Sequence, residues 1–381
     1  MHLAEVLFWV SFGALIYVYI GYPLLLALIA GIMPRRRPQA GFTPRLSILI
    51  AAYNEEAGIG RKIEQTLALD YPPDLIEILV LSDGSTDRTD AIVESLRDPR
   101  VRLLRLSGRK GKTNAQNEGV KMARGDVLVF SDATTIYHSQ ALRHLAANYA
   151  DPKVGAVSGR YQYFDPKGKS PTGLGTIAFW SYENLIKMMQ SRIKTISGCC
   201  GCIYSVRREA YTALAPEVIS DLVQPLHVIR RGYRVAFEDR ALAYEETTQS
   251  TSEEFSMRVR VVTRGIRGLL SVPTLLVPWR FAWVSFQLWS HKILRWLVPF
   301  FLLALLGSNL FLSQNLFYRL FLPAQGLFYA LTLFGLLFPI QRLWKPLGIP
   351  LYFCTLNAAA FLSVIEVIRG KRYVVWETVR T

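Results

Sequence analysis

LSILIAAYNEE (46–56) is the stretch whose reading decides the fold of this chain. Its first seven residues are nearly all apolar or small, with no alternation of polar and apolar positions, and they stop abruptly at Tyr53-Asn54-Glu55. A strand with one wet face alternates, whereas an uninterrupted run suits a strand covered on both faces, as in parallel sheets. Three more runs repeat the pattern: IEILVLS (76–82), VRLLRL (101–106) and DVLVFS (126–131). Helix signals fall between them. Asn54 is positioned to cap a helix beginning at Glu55, and Ser85-Thr86-Asp87 precedes one that runs through AIVESL. Thr113-Asn114-Ala115-Gln116 has capping-box spacing ahead of a helix that stops at Gly125. Strand and helix alternate at intervals of roughly 25 to 30 residues, which predicts right-handed crossovers and an α/β fold with a doubly wound, mostly parallel sheet.

Ligands of such sheets sit at the carboxyl ends of the strands. Here those ends carry Ala52-Tyr53-Asn54-Glu55, then Ser82-Asp83-Gly84-Ser85, and, in FSDATT (130–135), Ser131-Asp132; the loop after the third strand carries Gly111-Lys112. Two carboxylates and a lysine thus converge on one crevice. Taken singly, Asp83 and Asp132 also read as turn caps and Lys112 as a solvated loop charge; their shared edge favours a site. No G-x-G-x-x-G and no Walker lysine motif is present, which disfavours dinucleotide and P-loop chemistry.

The rest of the 381 residues is dominated by its ends. Val6 to Met33 holds no charged residue and is long enough to span a bilayer. Glu5 before it and Arg35-Arg36-Arg37 after it favour a retained anchor over a cleaved leader. The positive-inside rule then puts residue 34 onward in the cytoplasm. No Asp or Glu lies between Glu254 and Glu366, and further spans are expected at Leu297–Phe311, Phe317–Ile340 and Pro350–Ile368. Three spans after the cytoplasmic part would leave the C-terminus outside, whereas Arg369, Lys371 and Arg372 favour the inside; an interfacial or re-entrant segment would reconcile the two. The net charge of +15 flanks apolar segments, so its expected partner is the membrane lipid surface rather than nucleic acid. Cys199, Cys200, Cys202 and Cys354 lack zinc-ligand spacing and read as small packing residues.

In this order, AAYNE, SDGSTD, GRKGKTNAQNEG and FSDATT resemble membrane-bound glycosyltransferase family 2, which includes cellulose, chitin, hyaluronan and poly-N-acetylglucosamine synthases. SGCCGCIYSVRREAY (197–211) resembles its acceptor-side loop, and VISDLVQPLHVIRRGYRV (218–235) the segment with its catalytic aspartate. The resemblance covers roughly residues 43–270 and implies a GT-A type cytoplasmic domain. The organisation expected is an anchor at 1–34, the glycosyltransferase domain at 43–250, a basic amphipathic interfacial segment at 251–295 and transmembrane helices at 296–381.

By the same resemblance, Ala52, Tyr53, Glu55 and Asp83 would hold base and ribose of a nucleotide sugar, and Lys112 the base or the diphosphate region. Asp132 would hold a divalent cation, Mg2+ or Mn2+, against the diphosphate. Asp221 would be the general base, taking a proton from the acceptor hydroxyl during an inverting displacement; within ISDL it also reads as a helix cap. Two positions depart from the family. Thr134 stands where the metal motif has its second acid, so the cation rests on Asp132, the diphosphate and water. MRVRVVTRG (257–265) keeps only Arg260 of Q-x-x-R-W, which argues against long processive synthesis. Arg260 and Arg264 would touch the diphosphate or the acceptor channel, or equally lie on lipid headgroups. Trp180 and Glu183, in FWSYENLIKMM, would meet an acceptor sugar, or belong to a core stripe.

The function implied is transfer of a sugar from a nucleotide donor, UDP-linked, to a cell-surface polysaccharide by a multi-pass protein of the inner (plasma) membrane. One alternative is single transfer to a lipid-linked acceptor. From another class, the alternative is a non-catalytic nucleotide-binding scaffold or transporter.

Overall fold

The computed structural model of the chain describes residues 2–34, 38, 39, 41–164, 170, 173–247, 250–338, 346 and 348–375. Arg35–Arg37 and the last two residues of the 317–340 span lie outside the described residues. Eight strands form one sheet: β1 (Leu46–Ala52), β2 (Ile76–Ser82), β3 (Val101–Arg105), β4 (Val127–Asp132), β5 (Ile136–Tyr137), β6 (Val154–Phe164), β7 (Ile203–Arg207) and β8 (Arg234–Glu246). Their spatial order is β3-β2-β1-β4-β7-β6-β8-β5. β1 to β4 are parallel, β7 runs against β4 and β6, and β8 is parallel to β6. The expected α/β sheet is therefore present, with two strands, β7 and β5, reversed. The register sets Ala51 beside Asp132 and Ala52 beside Ser82, so the polar strand ends lie level on one edge.

The uninterrupted apolar run of β1 is explained by its position. All seven residues are buried, and alternate side chains enter opposite cores: Ile48, Ile50 and Ala52 on one face, Leu49 on the other. Helices α3 (Ile59–Leu67), α4 (Thr89–Ser95) and α6 (Ala141–Ala147) cover the first face; α5 (Lys112–Met122) and α8 (Ser220–Arg230) cover the second. Each fully buried Ile or Leu contributes roughly 1.5–3 kcal/mol to this sandwich.

Two of the helix starts differ from the sequence expectation. Asn54 has φ 52° and caps no helix; its Oδ1 accepts from Thr86 N at 2.8 Å, and α3 begins only at Ile59 after a turn closed on Glu55 O. Thr113 makes no capping box either. Its hydroxyl donates to Val218 O at 2.9 Å, tying α5 to the loop before α8, and α5 starts at Lys112 itself. In both cases a tertiary partner outcompetes the local one.

The remaining helices are α1 (His2–Ile16) and α2 (Tyr22–Ile32), joined by a π-helical turn; α7 (Gly173–Ile193); α9 (Thr251–Leu270); α10 (Pro278–Leu288) and α11 (Leu294–Phe311), again joined by a π-helical turn; α12 (Leu316–Leu337); and α13 (Gly348–Ile368). Among the described residues, four helical stretches are long and apolar enough to cross a membrane: His2–Ile32, Pro278–Phe311, Leu316–Leu337 and Gly348–Ile368. The expected span at 297–311 is thus the second half of a longer helix. Trp9, Leu24, Leu28, Leu303, Leu310 and Leu320 are exposed on these stretches, as a lipid-facing surface requires.

α13 differs from the other three. Of its apolar window 44% is buried inside the protein, against 11% for α12. Among the helices it packs most extensively on α9. Arg258 of α9 donates to the Tyr352 hydroxyl at 2.8 Å, and Ser363 donates to Val259 O at 3.1 Å. Beyond α13 the chain returns to the sheet domain: Arg267 donates to Lys371 O at 2.8 Å, Arg372 approaches Glu217 at 3.7 Å, and Val374 lies over Gly111.

Candidate active site

A cavity of about 630 Å³ opens at the carboxyl edge of the sheet. Its floor carries Glu55, Lys112, Asp132, Thr134 and Asp221; its far wall is aromatic and apolar, with Trp180, Trp296, Tyr352 and Phe353. The volume suits a sizeable small molecule.

Asp132 closes β4 with its side chain about a third exposed, paired with the Lys112 ammonium. Lys112 reaches it as the first residue of α5, where its Nζ also approaches Gly201 O at 3.4 Å. Burial pulls the Lys112 pKa down, but the Asp132 and Asp221 carboxylates outweigh it and hold the ammonium protonated. Asp221 is the second residue of α8. Its backbone carbonyl accepts from Cys199 N at 2.8 Å, while its Oδ1 is enclosed with no hydrogen-bond partner among the described residues. Burial raises its pKa above the ordinary carboxylate value, with Asp132 adding to the rise and Lys112, Lys187 and Lys292 opposing it. Such a carboxylate is a better proton acceptor than an exposed one. Gly201 permits this placement, because a Cβ there would lie 2.9 Å from Asp221 Oδ2. Sequence reading did not single out Gly201, Lys187 or Lys292.

The nucleotide-side residues gather at the same edge in different roles. Ala52 is 1% exposed and offers backbone only, its carbonyl accepting from Asp83 N at 3.0 Å. Asp83 is fully buried; its two oxygens accept from Lys110 N and Gly111 N, each at 2.8 Å. It clamps the loop that presents Lys112 and does not line the cavity. The Arg109 guanidinium lies 3.9 Å from the centroid of the Tyr53 ring, a face on which a base could stack.

The acceptor-side residues are more committed than their pattern suggested. Glu183 is 4% exposed and bonded to His291 Nε2 at 2.9 Å and to Arg295. Burial acts to raise its pKa, and the Arg295 guanidinium, with His291 beside it, overrides that and holds the carboxylate well below its usual range. It anchors α7 to the π-helical turn and α11. Trp180 stands edge-on to Tyr161, 4.9 Å between centroids, with Lys187 5.5 Å from its face. Arg260 lines the cavity. Arg264 is 6% exposed, and burial drops its pKa to about 10. Its Nη2 donates to Thr113 Oγ1, Pro216 O and Val218 O, stapling α9 to the loop before α8. Cys199, Cys200 and Cys202 are buried free thiols, and Lys187 Nζ lies 3.0 Å from Cys200 Sγ.

Sequence reading also missed Glu245, on the cavity wall at the end of β8. The signal was present: AYEE puts an acid at a strand mouth, the same cue that drew attention to Asp132. β8 itself went unrecognised because RVAFEDRALAYEE mixes charges into the strand.

Residues 47–214 are a glycosyl transferase family 2 domain. The chain is 28% identical over 236 residues, 59% of its length and 55% of the relative's, to a poly-beta-1,6-N-acetyl-D-glucosamine synthase of Staphylococcus aureus. It is 36% identical over 121 residues, 31% of its length and 25% of the relative's, to a beta-monoglucosyldiacylglycerol synthase of Synechocystis. The chain therefore spans about half the length, or less, of these curated relatives. A mannosyltransferase from Pyrobaculum calidifontis, solved with GDP-Man and Mn2+, superposes with a TM-score of 0.73 at 20% identity, covering 97% of this chain and 98% of its own. At that identity the likeness establishes the fold, the GT-A type sheet together with its apolar helices.

Proposed function

We propose that this chain, built around its glycosyl transferase family 2 domain, is a membrane-embedded inverting glycosyltransferase that uses a nucleotide sugar, UDP being the expected nucleotide. The observation that carries the reading is Asp221: a carboxylate with an enclosed oxygen that has no partner among the described residues, lining the same cavity as the Asp132–Lys112 pair.

In this reading the acceptor hydroxyl oxygen attacks the anomeric carbon while the bond to the diphosphate breaks. Asp221 takes the hydroxyl proton as the new bond forms, and its raised pKa, caused first by burial, suits that task at neutral pH. Attack opposite to the leaving group turns an α-linked donor into a β-linked product. Lys112 faces the leaving diphosphate and offsets its charge. Among the described residues no group of three or more His, Cys, Asp or Glu converges to hold a metal, but Asp132 fits one ligand of a diphosphate-bound cation. A divalent cation held there would supply Lewis-acid stabilisation of the departing phosphate oxygens. Asp83 acts through the 110–111 backbone and is a positioning residue.

The first expected acceptor is a growing cell-surface polysaccharide, as the name of the Staphylococcus relative suggests. Single transfer to a lipid acceptor is the second reading, favoured by the continuation of the cavity wall onto Phe353 and Leu356 of apolar α13. The protein is read as sitting in the inner membrane with the sheet domain cytoplasmic. Contacts of Lys371, Arg372 and Val374 with that domain support a cytoplasmic C-terminus. Only an even number of crossings after the domain allows that, so α13, held along α9, is read as not carrying the chain across.

The test is nucleoside-diphosphate release by detergent-purified protein over UDP-, GDP- and dTDP-sugars, with and without Mn2+ or Mg2+, and with Asp221→Asn as control. Release with one donor, lost in the variant, is expected. Nucleotide binding with no turnover of any donor, membrane lipid extract included, would refute the catalytic reading. Product sizing separates polymer from single transfer.

A further inference from the structure

We propose that Glu245, at the end of β8, supplies the second carboxylate of the cation site that Asp132-Ala133-Thr134 lacks. The inference rests on the cation-assisted reading above and deepens it.

Thr134 is where a second acid would follow Asp132, and its Oγ1 donates to Glu245 Oε1 at 3.0 Å. One carboxylate oxygen thus lies a single hydrogen bond from the missing acid's position, although it is 111 residues away in sequence. The other oxygen, Oε2, accepts from the Tyr161 hydroxyl on β6, the strand that pairs with β8 through Tyr163 and Glu245. Held between these two hydroxyls, the carboxylate lines the same cavity as Asp132, Lys112 and Asp221. Asp132 and Glu245 also act on a common cation. Burial lowers the pKa of Lys62 to about 8, and both carboxylates oppose that fall.

The chemistry asks for such a group. Mg2+ and Mn2+ are hard cations that prefer several oxygen ligands. One protein carboxylate and a diphosphate leave much of the shell to water, whereas two carboxylates lining one cavity would hold the cation from the protein side. Glutamine keeps the shape of the side chain, its carbonyl able to accept from Thr134 and its amide to donate to the Tyr161 oxygen, while removing the charge.

The experiment is Mn2+ binding to the full-length, detergent-purified protein, followed by electron paramagnetic resonance with saturating UDP or GDP. The variants are Glu245→Gln, Thr134→Asp and the double variant, with metal-free nucleotide binding as a measure of folding. Glu245→Gln is expected to weaken Mn2+ by about 10- to 100-fold while leaving metal-free nucleotide binding unchanged. Thr134→Asp in that background is expected to restore most of the loss. Mn2+ affinity within twofold of wild type in Glu245→Gln overturns the proposal, as does failure of Thr134→Asp to rescue. If Glu245→Gln does not fold, Thr134→Asp alone decides: tighter Mn2+ binding supports the shared site, and unchanged binding overturns it. A wild-type protein that binds no Mn2+ with any nucleoside diphosphate refutes the cation-assisted reading itself, a result distinct from failure of the Glu245 assignment.

Discussion

Replacing Gly201 by alanine tests whether the position of Asp221 sets the rate. The added Cβ would lie 2.9 Å from Asp221 Oδ2 and 3.3 Å from its Cγ. Ordinary contact begins near 3.4 Å, so the carboxylate must retreat by roughly half an ångström. Gly201 is not among the glycines with positive φ, so alanine carries no backbone penalty there, and the atom it meets ends a flexible side chain. Stability should barely change. Misplacing a catalytic group by 1 Å costs on the order of 100-fold, so half that displacement predicts about a tenfold fall in kcat, or about 1.4 kcal/mol of barrier. The assay is steady-state nucleoside-diphosphate release against donor concentration, with a thermal melt of the same preparation. The expected result is a lower kcat, unchanged donor KM and unchanged Tm. A kcat within twofold of wild type would refute the view that Asp221 must sit where Gly201 lets it.

Other perturbations probe the same frame. Asp221→Asn should lower kcat by about 10²- to 10⁴-fold, the usual worth of a general base, with donor binding retained by calorimetry. Because the unprotonated Asp221 is the active form, kcat/KM should fall as pH drops through its raised pKa. Lys112→Met removes a charge that opposes the rise, so the acid limb should move to higher pH; a limb that stays put counts against Asp221 as the titrating group. Glu183→Gln should destabilise the protein by about 3 kcal/mol, because it leaves buried Arg295 unpaired, seen as a lower melting temperature in detergent. Arg264→Met should cost about 2 kcal/mol through three lost hydrogen bonds, read by the same melt; equal melting temperatures would show the staple to be idle.

What could be read from sequence follows from how local the physics is. The uninterrupted apolar runs of β1, β2 and β4 announce burial on both faces, and strand ends in a parallel sheet must share an edge, so the gathering of Glu55, Lys112 and Asp132 was foreseeable; Asp221, on α8, is reached only through the family resemblance. Roles set by distant partners were not. Asp83 reads from sequence as a ligand group, and its engagement with the two N–H groups of residues 110 and 111 comes from a loop that the sequence does not place beside it. Glu183 reads as an acceptor-side group or a member of a core stripe, and only the packing of α7 against the π-helical turn explains its burial with His291 and Arg295. Thr113 and Asn54 have the chemistry of caps and spend it on other segments. Glu245 was hidden by charges in its strand, although its place at a strand mouth is the clue that had exposed Asp132.

The partnership of α9 and α13 bears on how far this protein can be dissected. One apolar core runs from Leu49 on β1 through Leu269 on α9 to Val284 and Leu288 on α10, and α13 lies along the outside of α9. Catalytic and membrane portions that look consecutive in sequence are interleaved in space. A fragment cut near residue 250 would remove Leu269, Val272, Leu275, Val284 and Leu288 from that core, and one cut near 340 would strip α9 of its cover. Sheet and apolar helices therefore share one core, and the seating of α13 against α9 completes the packing around the cavity that both line.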